Sequence, residues 1–218
     1  MRMAEIDSDA KRLQMINGQL RTSDINDLDL LFAFAAVPRE TFVAAAQLSL
    51  AYSDSEVAAT GPSGRRLLAP RTLGLLLKSA EPAPGERALT VGDGAGYCAA
   101  ILAALGLDVV ALETDSSAAK AATADRPRIR CAEGPLSEPP AGTGPFDVIV
   151  INGAFETQPE SLLAALKDGG RLVGLSALGQ AKRIVLFEKV AGGISERALY
   201  DASGDVLPGF GRPDAFAF

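Results

Sequence analysis

Apolar positions change character near residue 80. Before it they recur every three or four residues, the spacing of helices that bury one stripe. Leu13, Ile16 and Leu20 mark a first helix. A second is expected over 30–36, capped by Asp24 or Asn26 and stopped before Val37-Pro38. Pro38 suits the first turn of a short third helix over 39–46. Residues 52–69 keep neither period, and Gly61-Pro62-Ser63-Gly64 marks a turn. Pro70 then opens a helix through Leu73, Leu76 and Leu77.

Beyond residue 85 short apolar runs alternate with helical stretches. Strands are predicted over 87–91, 109–113, 128–132, 146–151 and 171–175, with helices over 116–124 and 159–166 and a turn at Lys167-Asp-Gly-Gly170. Two further runs, 182–190 and 194–200, joined by Ala191-Gly192-Gly193, read as a closing hairpin. The pattern implies an α/β fold, a doubly wound, mostly parallel seven-stranded sheet with an antiparallel end hairpin. Residues 1–80 form an N-terminal helical extension with an active-site loop, and 81–218 form the core with its C-terminal tail. Phe210, Phe216 and Phe218 of that tail are expected to pack on the body.

The chemistry concentrates after the first strand. Arg87-Ala-Leu-Thr-Val-Gly-Asp-Gly-Ala-Gly-Tyr97 reads as strand, glycine-rich turn and helix start, and the next strand ends in Glu113. That is the layout of a nucleotide-type cofactor site, although glycines after a strand also serve simple tight turns. Gly92, Gly94 and Gly96 form GxGxG, and Tyr97 stands where a dinucleotide fingerprint wants its third glycine. Asp93 within the turn would repel a pyrophosphate on the helix N-terminus. S-adenosylmethionine has no phosphate and carries a sulfonium cation, which an acid tolerates. Glu113 is either the acceptor for both ribose hydroxyls or a solvated strand-end carboxylate.

Composition narrows the rest. Across 218 residues, 21 basic and 27 acidic side chains leave a net charge of −6, which disfavours nucleic acid as a partner. The acidic N-terminus and the lack of a long apolar run give the expectation of a cytoplasmic chain with no membrane partner. Cys98 and Cys131 are expected as small core residues, and no metal site is expected. The absence of histidine removes imidazole acid/base chemistry and histidine ligation. Methyl transfer to a carboxylate needs neither, because a carboxylate with a pKa of about 4 is already ionised at neutral pH.

The chain resembles the protein-L-isoaspartate O-methyltransferase family. Gln19-Leu20-Arg21, Val37-Pro38-Arg39-Glu40-Thr41-Phe42-Val43, Ala51-Tyr52-Ser53-Asp54, Val91-Gly-Asp-Gly-Ala-Gly-Tyr97, Pro145-Phe-Asp-Val-Ile-Val150 and Gly169-Gly-Arg-Leu-Val173 carry the resemblance, in this order. It implies a Rossmann-like methyltransferase that uses S-adenosylmethionine to methylate isomerised aspartyl residues for repair. Gly92, Asp93, Gly94, Ala95 and Gly96 would then surround the methionine part of the cofactor, Glu113 the ribose, and Glu133-Gly134 the adenine. Glu133 also reads as a surface turn. Thr90 stands where methyltransferases usually have an acid.

The family's GQTISQP segment corresponds to Gly64-Arg-Arg-Leu-Leu-Ala-Pro70, so Leu68 replaces the hydroxyl expected beside the methyl and Arg66 its threonine neighbour. Leu67 and Leu68 are expected to wall the cofactor. Arg65 and Arg66 either hold an anionic acceptor or are solvated surface charges. The acceptor is then an isoaspartyl peptide or protein, or another anion. The alternative to an enzyme is a cofactor-binding module with weak or no isoaspartyl activity.

Overall fold

A computed structural model describes residues 2–212. Helix α1 (Arg2–Met15) continues into a π-turn, Ile16–Leu20. That wider turn re-phases the apolar stripe, so Met15, Ile16 and Leu20 are buried while Leu13 faces solvent, against expectation. Helix α2 (Leu28–Ala36) is capped by Asp27, whose carboxylate accepts from the Leu30 N–H at 2.8 Å. Neither Asp24 nor Asn26 caps it, since Asp24 takes a left-handed conformation closing the preceding turn. The single helix expected over 39–46 is two 3-10 segments, Arg39–Phe42 and Ala45–Leu50. The break has a cause. Val43 bridges to Ala59, and the Ala44 N–H donates to the Ala58 carbonyl, which pulls the backbone into an extended form.

That extended segment lies beside a small hairpin of β1 (Val57–Ala58) and β2 (Arg66–Leu67), paired antiparallel around the Gly61–Gly64 turn. Helix α3 (Pro70–Ala80) follows with Pro70 in its first turn. The core then runs β3 (Arg87–Val91), α4 (Tyr97–Ala104), β4 (Asp108–Glu113), α5 (Ser117–Ala122), β5 (Ile129–Glu133), β6 (Phe146–Phe155), α6 (Glu160–Ala164), β7 (Leu166–Ser176), β8 (Arg183–Val190) and β9 (Gly193–Asp201).

Seven strands pair in the order β5-β4-β3-β6-β7-β8-β9. The first five in that order are parallel, and β8 and β9 add antiparallel, as the sequence pattern predicts. Residues 167–170 are not a turn between elements. They loop out within β7, where the register with β6 jumps from Phe146↔Leu166 to Val148↔Arg171. Alternate residues of the central strands enter two apolar layers. Ala88, Ala111, Val148 and Val173 pack toward the helical extension, while Leu89, Leu112, Ile149 and Leu172 pack toward Phe155, Leu162 and the C-terminal segment.

Strand order reverses between β3 and β6, where connections leave in opposite directions, the place at the strands' carboxyl ends where sheets of this kind bind ligands. The 92–96 turn follows β3 at this point. Phe210 is buried as expected, whereas Phe216 and Phe218 lie outside the described residues. Among the described residues, no helix is long and apolar enough to cross a membrane.

Candidate active site

Gly92, Gly94 and Gly96 all adopt positive φ, which lets the chain leave β3 and enter α4 within five residues. At Gly94, with φ of +82°, a Cβ would stand 2.8 Å from the Arg65 Cβ and 3.0 Å from the Ala59 Cβ. The β1–β2 hairpin therefore lies directly on the turn, and only glycine permits that approach. Ala95 is fully buried between these layers.

Asp93 is buried, and its carboxylate accepts from the Ala99 N–H at 3.2 Å in the first turn of α4. It thus takes a donor that a bound phosphate would need, a physical reason for the turn to exclude a pyrophosphate. Burial nevertheless pushes the Asp93 carboxyl up to about 6.

Glu113 is not a solvated acid. It is 1% exposed, and its Oε1 accepts from the Gly94 N–H at 2.7 Å. Its Oε2 is buried without a hydrogen-bond partner. Burial, and then the neighbouring Asp93 charge, push its carboxyl up to about 8. Glu133 stands opposite Glu113 in the β4–β5 register, but it is exposed and accepts from the Ser116 hydroxyl at 3.2 Å. The Gly134 N–H donates to the Glu113 carbonyl at 3.0 Å, which places Gly134 at the same edge. Thr90 is buried with its hydroxyl unpaired, and it brings no charge to this wall.

The four residues of the divergent loop separate. Arg65 is half-buried, and its Nη2 donates to the Gly92 carbonyl at 3.2 Å, so it is no free surface charge. Arg66 points outward into a pair with Glu56, with Nε 3.3 Å from the carboxylate and Nη2 2.7 Å from the backbone carbonyl. Leu67 and Leu68 are both buried in the core beneath the hairpin. The Leu68 carbonyl accepts from Arg39 at 2.8 Å. Cys98 is buried and its thiol is raised by that burial, as suits a core residue, while Cys131 is half-buried. A cavity of about 720 Å³ between α2 and α3 contains none of these residues.

Two contributors escape the sequence pattern. Asp205, exposed, is brought to the end of β6 when the Ala154 N–H donates to its carbonyl at 2.8 Å. Leu207 packs where Cβ atoms on Gly92 and Gly153 would stand, within 2.9 Å and 2.5 Å of its side chain. No local signal announces either residue, because both arrive through pairing with a distant strand.

The chemistry of the assembled groups fits a sulfonium nucleoside. The orphaned Glu113 oxygen suits a ribose hydroxyl, and the backbone around Gly94 offers a close bed. The buried acid Asp93, raised only to about 6, suits a cation.

The family model described as protein-L-isoaspartate(D-aspartate) O-methyltransferase matches residues 11–201. A protein-L-isoaspartate O-methyltransferase of Methylorubrum populi is 37% identical over 172 residues, spanning 76% of this chain and 79% of that one. The corresponding protein of Koribacter versatilis is 33% identical over 87% of both chains. Among solved structures, a protein-L-isoaspartate O-methyltransferase superposes with a TM-score of 0.80 at 22% identity, covering 91% of this chain and 66% of that one. A Plasmodium falciparum structure, described as a complex of such a methyltransferase with S-adenosyl-L-homocysteine, gives 0.76 at 20% identity, covering 89% and 96%. On the extent of the family match and the identity of these relatives, the chain belongs to the protein-L-isoaspartate O-methyltransferase family.

Proposed function

We propose that this protein binds S-adenosylmethionine over the 92–96 turn and methylates the carboxylate of an isoaspartyl residue in a peptide or protein. The observation that carries this reading is the Glu113 carboxylate. One oxygen is fixed by the Gly94 N–H and the other is buried without a partner, at the end of β4 beside the turn that leaves β3. A buried acceptor left unpaired costs roughly 1–3 kcal/mol, and a ribose hydroxyl would satisfy it.

When bound, the cofactor supplies a methyl group already activated on a sulfonium. The residues then have to orient the acceptor and keep water out, which is catalysis by proximity. An ordinary carboxylate acceptor is ionised at neutral pH, so the chain needs no general base and manages without histidine. Glu113 holds the ribose, and Glu133 with Gly134 borders the adenine. The buried Leu67 and Leu68 form a dry wall, although neither can donate a hydrogen bond. Of the two arginines, Arg66 serves the acceptor: its side chain is the more exposed, although its Glu56 partner is half-buried, and its fork matches a carboxylate.

A binding module without turnover draws support from Leu68 alone, and the identity to methyltransferases over most of the chain weighs against it. Methyl-labelled cofactor offered with an isoaspartyl peptide, and separately with its ordinary aspartyl counterpart, tests the proposal. Label in the isoaspartyl peptide alone is expected. Intact cofactor binding with label in neither peptide would overturn the acceptor assignment.

A further inference from the structure

Arg65 occupies an unusual place for a loop arginine. Its stem packs on Gly94 and its Nη2 donates to the Gly92 carbonyl at 3.2 Å, while its Nε is buried without a partner. Among the described residues it makes no ion pair within 4.0 Å; burial is the strongest influence and opposes its charge, offset only in part by the acids Glu113, Asp205, Asp93 and Glu56. They come from four separate segments: the end of β4, the irregular segment that bridges to the end of β6, the glycine turn, and the residue before β1. A half-buried positive charge with no close ion pair keeps a desolvation penalty that the surrounding acids do not fully offset. Half-buried and only weakly hydrogen-bonded, it is held by little that a competing cation would have to break.

The cofactor proposed for this site is itself a cation at sulfur, whereas its demethylated product is neutral there. Both need the Gly94 bed that the Arg65 stem covers. We propose that Arg65 is a resident cation of the cofactor site, displaced when the cofactor enters, and that its charge tilts the site's preference away from the sulfonium cofactor and toward the neutral-sulfur product. The inference rests on the cofactor reading above and adds to it a residue that sets selectivity between the two ligands. Two effects combine in Arg65. Clearing the bed lowers the affinity of both ligands, while repulsion between like charges falls on the sulfonium alone.

Calorimetric titration of wild type, Arg65→Gln and Arg65→Lys with S-adenosylmethionine and with S-adenosylhomocysteine separates these effects. Arg65→Gln introduces the residue of the family's GQTISQP segment, and Arg65→Lys keeps the charge. Arg65→Gln is expected to bind S-adenosylmethionine on the order of tenfold more tightly than wild type, with a distinctly smaller gain for the homocysteine. Arg65→Lys should keep the wild-type preference. Should Arg65→Gln melt early, Arg65→Met, which retains an aliphatic stem on Gly94, takes its place. Equal or weaker cofactor binding by a folded charge-removing variant overturns the proposal while leaving the cofactor reading intact. Equal gains for both ligands overturn the selectivity. Absence of binding in every protein, wild type included, overturns the cofactor reading and this proposal with it.

Discussion

The Arg39 guanidinium lies 4.9 Å from the centroid of the Tyr97 ring. Arg39 is completely buried, and it also donates to the Ala51 carbonyl and the Leu68 carbonyl, each at 2.8 Å. One side chain therefore joins the helical extension, the loop before α3 and the first residue of α4. The Tyr97 ring is further enclosed by Phe42 and Phe34, at 5.4 and 6.4 Å. Tyr97 stands where a dinucleotide-binding turn would place a glycine, and here that volume is filled by a tyrosine and an arginine.

Arg39→Met should destabilise the fold by about 3 kcal/mol, because it strands two buried carbonyls and removes a charge from the aromatic face. Arg39→Lys should recover less than half of the loss, since an ammonium lacks the guanidinium fork. Urea denaturation of the three proteins measures both numbers.

For Gly94→Val, S-adenosylmethionine affinity should fall by roughly tenfold or more, equivalent to about 1.4 kcal/mol. The valine meets the Arg65 and Ala59 Cβ atoms and must adopt an unfavourable positive φ. Calorimetry beside a thermal melt distinguishes a blocked bed from an unfolded protein, and unchanged affinity would contradict the assignment of the turn.

Glu113→Gln and Glu113→Ala should part company. Measured above pH 8, where Glu113 is ionised, both lose roughly 1.5–3 kcal/mol of cofactor affinity, the range for hydrogen bonds to a charged group. Glu113→Ala also leaves the Gly94 N–H without its acceptor, so its melting temperature should drop while that of Glu113→Gln holds. A strand-end acid on the surface would show neither effect.

Titration of Glu113 gives a pH signature. Its carboxyl is raised from 4.5 to about 8, so between those values the native state holds a proton that the unfolded chain has lost. Stability should accordingly fall as pH rises through that window. Cofactor affinity should rise over the same range, because ribose hydroxyls donate to the ionised form, and binding near pH 7 should release protons. Comparing calorimetric heats in buffers of different ionisation enthalpy detects the release, which should vanish in Glu113→Gln. Asp93 and Arg65 face the same carboxyl and modulate the midpoint.

Leu68→Ser introduces the hydroxyl of the related enzymes into a position that is core in this chain. It should cost about 2–4 kcal/mol of stability as a large-to-small change. Methylation of an isoaspartyl peptide, per folded molecule, should quicken by roughly tenfold if the hydroxyl aligns the acceptor. A rate unchanged at saturating peptide would remove Leu68 from the chemistry.

Regular elements were legible because their apolar residues repeat at fixed spacing. The parallel strands and the closing hairpin follow from such repeats and the turn at Gly92–Gly96 from glycine spacing, whereas the register jump within β7 has no such signal. The cap of α2 was misplaced because Asp24, Asn26 and Asp27 are chemically equivalent in sequence, and only backbone geometry selects Asp27. Leu13 was misjudged because one wide turn shifts the helix phase. The site was legible where one segment supplies it, as in the glycine turn and Glu113. Arg65 was a candidate through the family's loop segment, though as a contact for the acceptor, while Asp205 and Leu207 come from a segment folded over that turn whose own neighbourhood does not specify where it lands.

Leu207 rests on Gly92 and Gly153, and residues 205–207 are held there by pairing with the end of β6. The bed built by the first strand and turn of the sheet is thus closed by one of the last described segments. During synthesis the sheet can assemble as its strands emerge, but the nascent protein has no finished cofactor bed until this segment leaves the ribosome and docks. Cleavage between β9 and Asp205 is therefore expected to spare the seven paired strands and to weaken cofactor binding at the proposed site, which titration of the nicked protein measures.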